Sequence, residues 1–357
     1  MKIKMNAEKW VVKKHSKDVT QIMDMYEKVV EELDVDLKDD EMLLKTLYVS
    51  IDPYLHGITL DTPLGNHLGA DSVMEVLEAG KDAMHKKGDF VQGFGGWRTY
   101  LVSDGREALW QTGMFPMVFP KYRKLDKNVY NKDFSLMASL GALGGSGMAA
   151  WGTVTKILDI KAGDTVLISG ASGSVGEIVG QLAKLKGAGN VIGICGSEEK
   201  IAHLKSLGFD NGINYKQANN FEKMSEALAL VAPDGVDKYF DNIGGYTTDA
   251  VFMHLNVYSI VAICWQMALQ TGSEPRIGPR MLDITMFNRV TIRGIFGLEW
   301  FDEENWNALI SELGGYIKSG KIKCNQTIHK GFDNIPKAYS SVFNGTEANR
   351  GKILVEL

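Results

Sequence analysis

The stretch Thr165-Val-Leu-Ile-Ser-Gly-Ala-Ser-Gly-Ser-Val-Gly176 runs from a short apolar segment through a glycine-rich turn into an amphipathic one. The pyrophosphate of a dinucleotide needs a tight turn, a close backbone approach and N–H groups at a helix N-terminus, in that order after a buried strand. Gly173 permits the close approach, and Gly176 lets the helix pack on the strand. Ser174 and Val175 lie between them. Ala171 occupies the first-glycine position, so the motif is AxGxxG and not GxGxxG. Such a turn can also serve packing alone; the strand before it and the helix after it favour phosphate binding.

Working outward, the chain alternates. The helix Gly176–Lys186 places Ile178, Val179, Leu182 and Leu185 on one face. Strands follow at Val191–Cys195, Gly212–Tyr215, Gly235–Phe240 and Val257–Cys264, with helices at Glu198–Leu207, Asn220–Val231, Tyr246–His254 and Trp306–Lys318. This βαβα order predicts an α/β fold with a doubly wound parallel sheet. The first third is different. Glu41–Val49, Asp71–Ala79, Phe90–Gly93 and Trp97–Val102 read as short strands separated by turns, a β-rich domain. Thr112–Arg123, with Pro116 and Pro120, reads as a loop, and Asp133–Leu140 as a helix start capped by Asp133. Short strands return at Lys321–Thr327 and Lys352–Glu356, around a helix at Ile335–Phe343. The tail therefore rejoins the first domain.

The residues beyond the phosphate turn bear on the cofactor. An NAD-binding acid is expected about 20 residues after the glycines. That position falls in Cys195-Gly-Ser-Glu-Glu-Lys200, whose strand end carries no acid. A small residue there leaves room for a 2′-phosphate, which Ser197 can hydrogen-bond and Lys200 can neutralise. Glu198 is the rival, as a ribose acid. It and Glu199 read more simply as first-turn acids behind a Ser197 N-cap. Tyr215 ends the next strand, where it can stack on the adenosine or pack in the core. Asn242, in Asp241-Asn-Ile-Gly-Gly245, closes the fourth strand, on the side where ligands of doubly wound sheets lie.

Composition limits the alternatives. At 357 residues the chain has room for two domains. The net charge of −5 argues against nucleic acid and against anionic membrane surfaces as partners. No apolar run is long enough for a membrane helix, and no signal peptide is read. The three cysteines, Cys195, Cys264 and Cys324, are scattered and suggest a reducing cytoplasm. None precedes residue 195, and Gly65-Asn-His-Leu-Gly69 has Leu68 where a carboxylate would accompany His67 at a catalytic zinc. No metal site is expected. Without a metal to polarise a simple carbonyl, hydride transfer to the β-carbon of a conjugated C=C fits better. The enolate charge then needs only hydrogen-bond donors. Tyr54, in Asp52-Pro-Tyr54, can donate its phenol to that oxygen.

The chain resembles the zinc-independent branch of the medium-chain dehydrogenase/reductases that holds the prostaglandin reductases (leukotriene B4 12-hydroxydehydrogenases) and alkenal double-bond reductases. The resemblance runs through Ser50-Ile-Asp-Pro-Tyr54, Leu140-Gly-Ala-Leu-Gly-Gly-Ser-Gly147, the AxGxxG turn, Gly180-Gln-Leu-Ala-Lys-Leu-Lys-Gly187, Asn214-Tyr-Lys216, Asp241-Asn-Ile-Gly-Gly245 and Asn349-Arg-Gly-Lys352. It implies a GroES-like catalytic domain (1–137 and 319–357) around a Rossmann NADP-binding domain (138–318). It implies a homodimer that uses NADPH to reduce α,β-unsaturated aldehydes and ketones, enones of the 15-oxo-prostaglandin type included. By motif, Gly173 to Gly176 hold the pyrophosphate. Lys200 and Tyr215 meet the 2′-phosphate end, and Asn242, Cys264, Phe296, Gly297 and Asn349 line the cofactor. Tyr54 matches the tyrosine of the substrate cleft. Trp265 and Gln270 depart from the family's Gly and Tyr, and His56 from its Arg, so the substrate pocket is expected to differ. A quinone oxidoreductase and a non-enzymatic NADPH-binding protein are the alternative readings.

Overall fold

A computed structural model describes residues 2–111, 116–343 and 349–357. The chain divides into two compact units, Gly141–Gln326 with Glu347–Lys352, and Met1–Leu140 with Thr327–Thr346 and Ile353–Leu357. The stretch 319–326 thus belongs with the middle of the chain and not with its tail.

In the first of these units, six strands among the described residues form one parallel sheet: β1 (Thr165–Ser169), β2 (Asn190–Cys195), β3 (Asn211–Asn214), β4 (Val236–Asp241), β5 (Leu255–Ile263) and β6 (Thr291–Gly294). Their spatial order is β3-β2-β1-β4-β5-β6, the doubly wound order of a Rossmann fold. The alternation of β1 explains the two covered faces. Val166 and Ile168 pack with Ile178, Val179 and Leu182 of α1 (Gly176–Leu185) on one side. Leu167 packs with Ile192, Met224, Leu228 and Tyr239 on the other. Each such fully buried aliphatic side chain contributes about 1.5–3 kcal/mol. Leu185, the fourth residue of the expected helical face, is 40% exposed.

Three glycines permit the close packing around α1 and the turn that leads into it. A Cβ on Gly176 would stand 2.7 Å from both Ala171 Cα and Gly170 O, and one on Gly180 would stand 1.9 Å from the Phe209 ring. A Cβ on Gly193 of β2 would come within 2.9 Å of the Ala171 methyl. The alanine in the motif's first position is therefore housed by a glycine on the neighbouring strand.

The other unit carries an antiparallel sheet in the order Gln326–Lys330, Lys352–Glu356, Met42–Ile51, Ser72–Ala79, Phe90–Gly93, Arg123–Lys124, with Tyr100–Ser103 also on Met42–Ile51. Its core gathers Val49, Ile51, Leu55, Trp97, Ile335 and Tyr339. A long hairpin, Lys2–Val12 against Tyr26–Asp36, adds a two-stranded ribbon that the sequence reading did not anticipate.

Three expectations are corrected. The 112–123 segment is not one loop: Pro116–Phe119 pairs with Ala108–Gln111, and Phe119 stacks on Phe94 at 3.7 Å; residues 112–115 lie outside the described ones. Proline opens this strand, where the missing N–H costs no ladder bond. No α-helix starts at Asp133; a 3-10 turn forms at Leu136–Leu140 and the α-helix begins only at Gly145. Lys321–Thr327 is a strand only from Gln326, because Ile322 is buried in the parallel-sheet core and Lys323 is bonded to α1.

Replacing Gly176 with Ala forces a methyl group into backbone atoms of the turn. Overpacking of that kind costs about 1–3 kcal/mol. Gly176→Ala is expected to lower the urea midpoint of unfolding by the matching amount; an unchanged midpoint would show that the turn yields freely.

Candidate functional site

The turn between β1 and α1 is open where a phosphate would need it. Gly170 has φ +63°, and a Cβ on Gly173 would meet only Gly170 O, at 3.3 Å. Among the described residues, the N–H groups of Val175 and Gly176 meet no acceptor, and they start α1. Unpaired amides at a helix N-terminus, with the helix dipole behind them, fit an anionic pyrophosphate. The Ser174 hydroxyl accepts a hydrogen bond from Ser146 (3.1 Å).

The neighbouring strand end is organised by Asp241, which is fully buried. Its Oδ1 accepts from Ser169 Oγ (2.9 Å), Tyr239 OH (2.9 Å), Ile243 N (2.9 Å) and Gly244 N (3.0 Å). Its Oδ2 accepts from Thr248 Oγ1 and Gln266 Nε2, both at 2.7 Å. Its backbone oxygen accepts from Cys264 N (2.8 Å). Burial, then the Asp241 charge, keeps the Tyr239 phenol protonated, its pKa well above the ordinary value near 10. Asn242 is tied down from both ends: its N–H donates to Ser169 Oγ and its Nδ2 to Ser169 O, each at 2.9 Å. The ends of β1, β4 and β5 thus form one hydrogen-bonded block at the point where strand order reverses, the usual ligand site of such sheets.

At the ends of β2 and β3 lie the residues expected at a 2′-phosphate. Ser197 caps α2 (Glu198–Ser206), its hydroxyl accepting from Lys200 N at 3.3 Å. Tyr215 is 38% exposed and lies against Gly196, where a Cβ would be 3.0 Å from its ring. Glu198 is turned to Asn214 Nδ2 (3.1 Å). Phe296 is exposed just beyond β6, and Gly297 opens a short 3-10 turn. Asn349 stands two residues before Gly351, which bridges to Gly173 of the phosphate turn.

Tyr54 belongs to the other unit, at the head of the helix Leu55–Asp61, and is half-buried. Burial first, then the charges of Asp52 and Asp71, raises its pKa well above the usual value near 10. It is a neutral O–H donor at any physiological pH. Burial likewise pushes Cys195 up to about 11 and Cys264 and Cys324 up to about 12, so none is a thiolate. His67 is driven down to about 4 by burial and by Arg98 and Lys9. Among the described residues no group of three His, Cys, Asp or Glu is placed to hold a metal ion.

Two features escaped the sequence reading: the hub role of Asp241, and a buried cluster of Glu177, His203 and Asn325 beside the phosphate turn. Asp241 stands inside a quoted motif with four of its donors close by in sequence, but the other two, Ser169 and Gln266, are brought to it only by the fold.

Comparisons with known proteins agree with this arrangement. The family described as zinc-binding dehydrogenase matches residues 174–314, and the one described as N-terminal domain of oxidoreductase matches residues 8–110. Prostaglandin reductase 1 of Mus musculus is 34% identical over 322 residues, 90% of each chain. The NADP(+)-dependent 2-alkenal reductase of Nicotiana tabacum is 30% identical, covering 88% of each. The crystal structure of CurA from Vibrio vulnificus in complex with NADPH superposes with a TM-score of 0.80 at 28% identity, over 98% of each chain.

Asp241→Asn is expected to turn an amide N–H toward two or more of the six donors, each orphaned donor costing about 1–3 kcal/mol. Stability in urea and dinucleotide affinity should fall together; a loss of affinity with stability intact would separate the hub from the fold.

Proposed function

Because the chain belongs to the medium-chain dehydrogenase/reductases, in the branch of the prostaglandin and alkenal reductases, we propose that it reduces the C=C bond of α,β-unsaturated aldehydes and ketones with NADPH. The observation that carries this reading is the match to prostaglandin reductase 1 over 90% of the chain. The open phosphate turn fits the cofactor the reading requires.

Each group has a role. The amides of Val175 and Gly176 take the pyrophosphate. Ser197, Lys200 and Tyr215 hold the 2′-phosphate end, and Asn242, Cys264, Phe296, Gly297 and Asn349 line the rest of the dinucleotide. NADPH, when bound, supplies the hydride that goes to the β-carbon. Negative charge then develops on the carbonyl oxygen, and the Tyr54 phenol donates a hydrogen bond to it. Its raised pKa keeps the proton on the tyrosine. The proton for the α-carbon comes from solvent.

The chain is further proposed to work as a homodimer in the cytoplasm. The edge strand Thr291–Gly294 is exposed at all four residues, and exposed Val257, Tyr258, Met286 and Phe287 lie on neighbouring segments of the same unit. A parallel sheet edge left open in this way is prone to pair with another chain. The three cysteines are free, as in a reducing compartment, and no helix of the described residues is long and apolar enough to cross a membrane.

NADPH oxidation followed with 4-hydroxynonenal, a 15-oxo-prostaglandin and a set of quinones tests the reaction. Turnover of the enones is expected, with Tyr54→Phe lowering kcat about 100-fold and the wild-type rate showing no tyrosine ionisation below pH about 10. Tight NADPH binding without turnover of any enone would sink the proposal. Light scattering should give twice the chain mass, and Ile292→Lys should halve it; a monomeric wild type would end the dimer reading.

A further inference from the structure

We infer that Arg350 is a second cation for the 2′-phosphate end of the dinucleotide, held in place by a buried clamp of Glu177, His203 and Asn325. The inference rests on the NADPH reading above.

The clamp begins on α1. Glu177 is 1% exposed. Its Oε1 lies 2.9 Å from His203 Nε2, and its Oε2 accepts from Asn325 Nδ2 at 3.0 Å. One turn further on, Gln181 donates to Lys323 O (2.9 Å) and accepts from Lys323 N (2.8 Å). The segment 323–325 is therefore fixed to the helix by two side chains. A buried carboxylate is costly to desolvate unless its hydrogen bonds compensate. Pyrophosphate binding by the N-terminal amides does not call for one in the helix's first turn.

From Asn325 the constraint passes to the chain end. Asn325 O accepts from Lys352 N at 2.9 Å. Gly351 has φ +61°, and a Cβ there would fall 2.0 Å from the same oxygen, so the close approach admits glycine alone. Gly351 N donates to Ser172 O at 3.1 Å, and Gly351 bridges to Gly173. The phosphate turn and Asn325 grip this residue from two sides. That fixes the backbone of its neighbour, Arg350.

Arg350 lies within electrostatic reach of Glu199 in the first turn of α2. The Glu199 carboxyl is held below its usual range by its own backbone amide and the Ser197 hydroxyl, with the Arg350 charge adding to them. Glu199 adjoins Lys200 and stands two residues from Ser197, the groups assigned to the 2′-phosphate. A guanidinium there offers a planar fork to a phosphate dianion, which the ammonium of Lys200 does not.

Dissociation constants for NADPH and NADH, measured by fluorescence on the full chain, test this. Wild-type protein that binds neither dinucleotide would overturn the cofactor reading itself. With wild type binding NADPH, Arg350→Ala is expected to weaken NADPH about tenfold, as for Lys200→Ala, and NADH less than twofold; Arg350→Lys should restore part of the loss. Asn325→Ala should weaken NADPH selectively too, and the double variant should be no worse than Arg350→Ala alone. Glu177→Gln, which keeps shape and removes one acceptor, should act in the same direction if Asn325→Ala does not fold. Equal effects on the two dinucleotides, or none, would refute the role of Arg350. Additive losses in the double variant would refute the clamp.

Discussion

The buried carboxylate of Asp241 is the constraint on which the site depends. An ionised group in a dry interior is tolerated only when its lone pairs are occupied. Here six donors do so, drawn from β1, β4, the turn after β4, the following helix and the segment after β5. The consequence is mechanical as well as electrostatic. Moving any one of these strand ends would orphan donors on the others, so the strand ends proposed to lie beneath the dinucleotide are fixed without a ligand. Pre-organisation of this kind spares the ligand the cost of ordering its own site.

The glycines meet a second constraint, distance. Gly176 lets α1 start against the turn, Gly180 lets it lie on the Phe209 ring, and Gly193 makes space for the alanine that departs from the usual motif. Of these, Gly176 was readable in the sequence because a strand, a glycine turn and a helix of period 3.6 follow one another without interruption; Gly180 and Gly193 take their roles from contacts that the fold makes. β6 was not readable: all four of its residues are exposed, so it carries no buried apolar pattern. Lys321–Asn325 failed for the opposite reason. It has an alternation suited to a strand, but Ile322 and Lys323 find better partners on α1 than on a sheet. The Pro116 strand was hidden by a residue that normally argues against strands and is tolerated at their first position.

Site residues show the same division. The glycine turn is a local feature, and the structure forms it between β1 and α1 with two unpaired amides at the helix start. The Ser197 N-cap is local as well, and the structure shows the cap bond to Lys200 N. Asp241 takes four of its donors from within seven residues and two, Ser169 and Gln266, from distant segments, and the Glu177–His203–Asn325 cluster is not local at all. The last joins residues separated by up to 148 positions, and no spacing within one sequence announces such a meeting. Asn242 illustrates an intermediate case: its position at the end of β4 was legible, but its two bonds to Ser169 were not.

The charge pattern of the parallel-sheet unit bears on chemistry. Lys200 and Arg350 stand about the first turn of α2 together with Glu198 and Glu199, at the pole proposed for the phosphate. At the opposite pole the groups are neutral. Cys264 is held near 12, and Asn242 offers an amide. The Asp241 carboxyl lies behind them, and its six donors are turned inward to it. A dinucleotide anchored by charge at its phosphates and touched by neutral groups at its reactive end is held firmly without fixing the charge of the reacting ring. That suits hydride transfer, in which the ring changes charge and a strong permanent field would favour one redox state over the other.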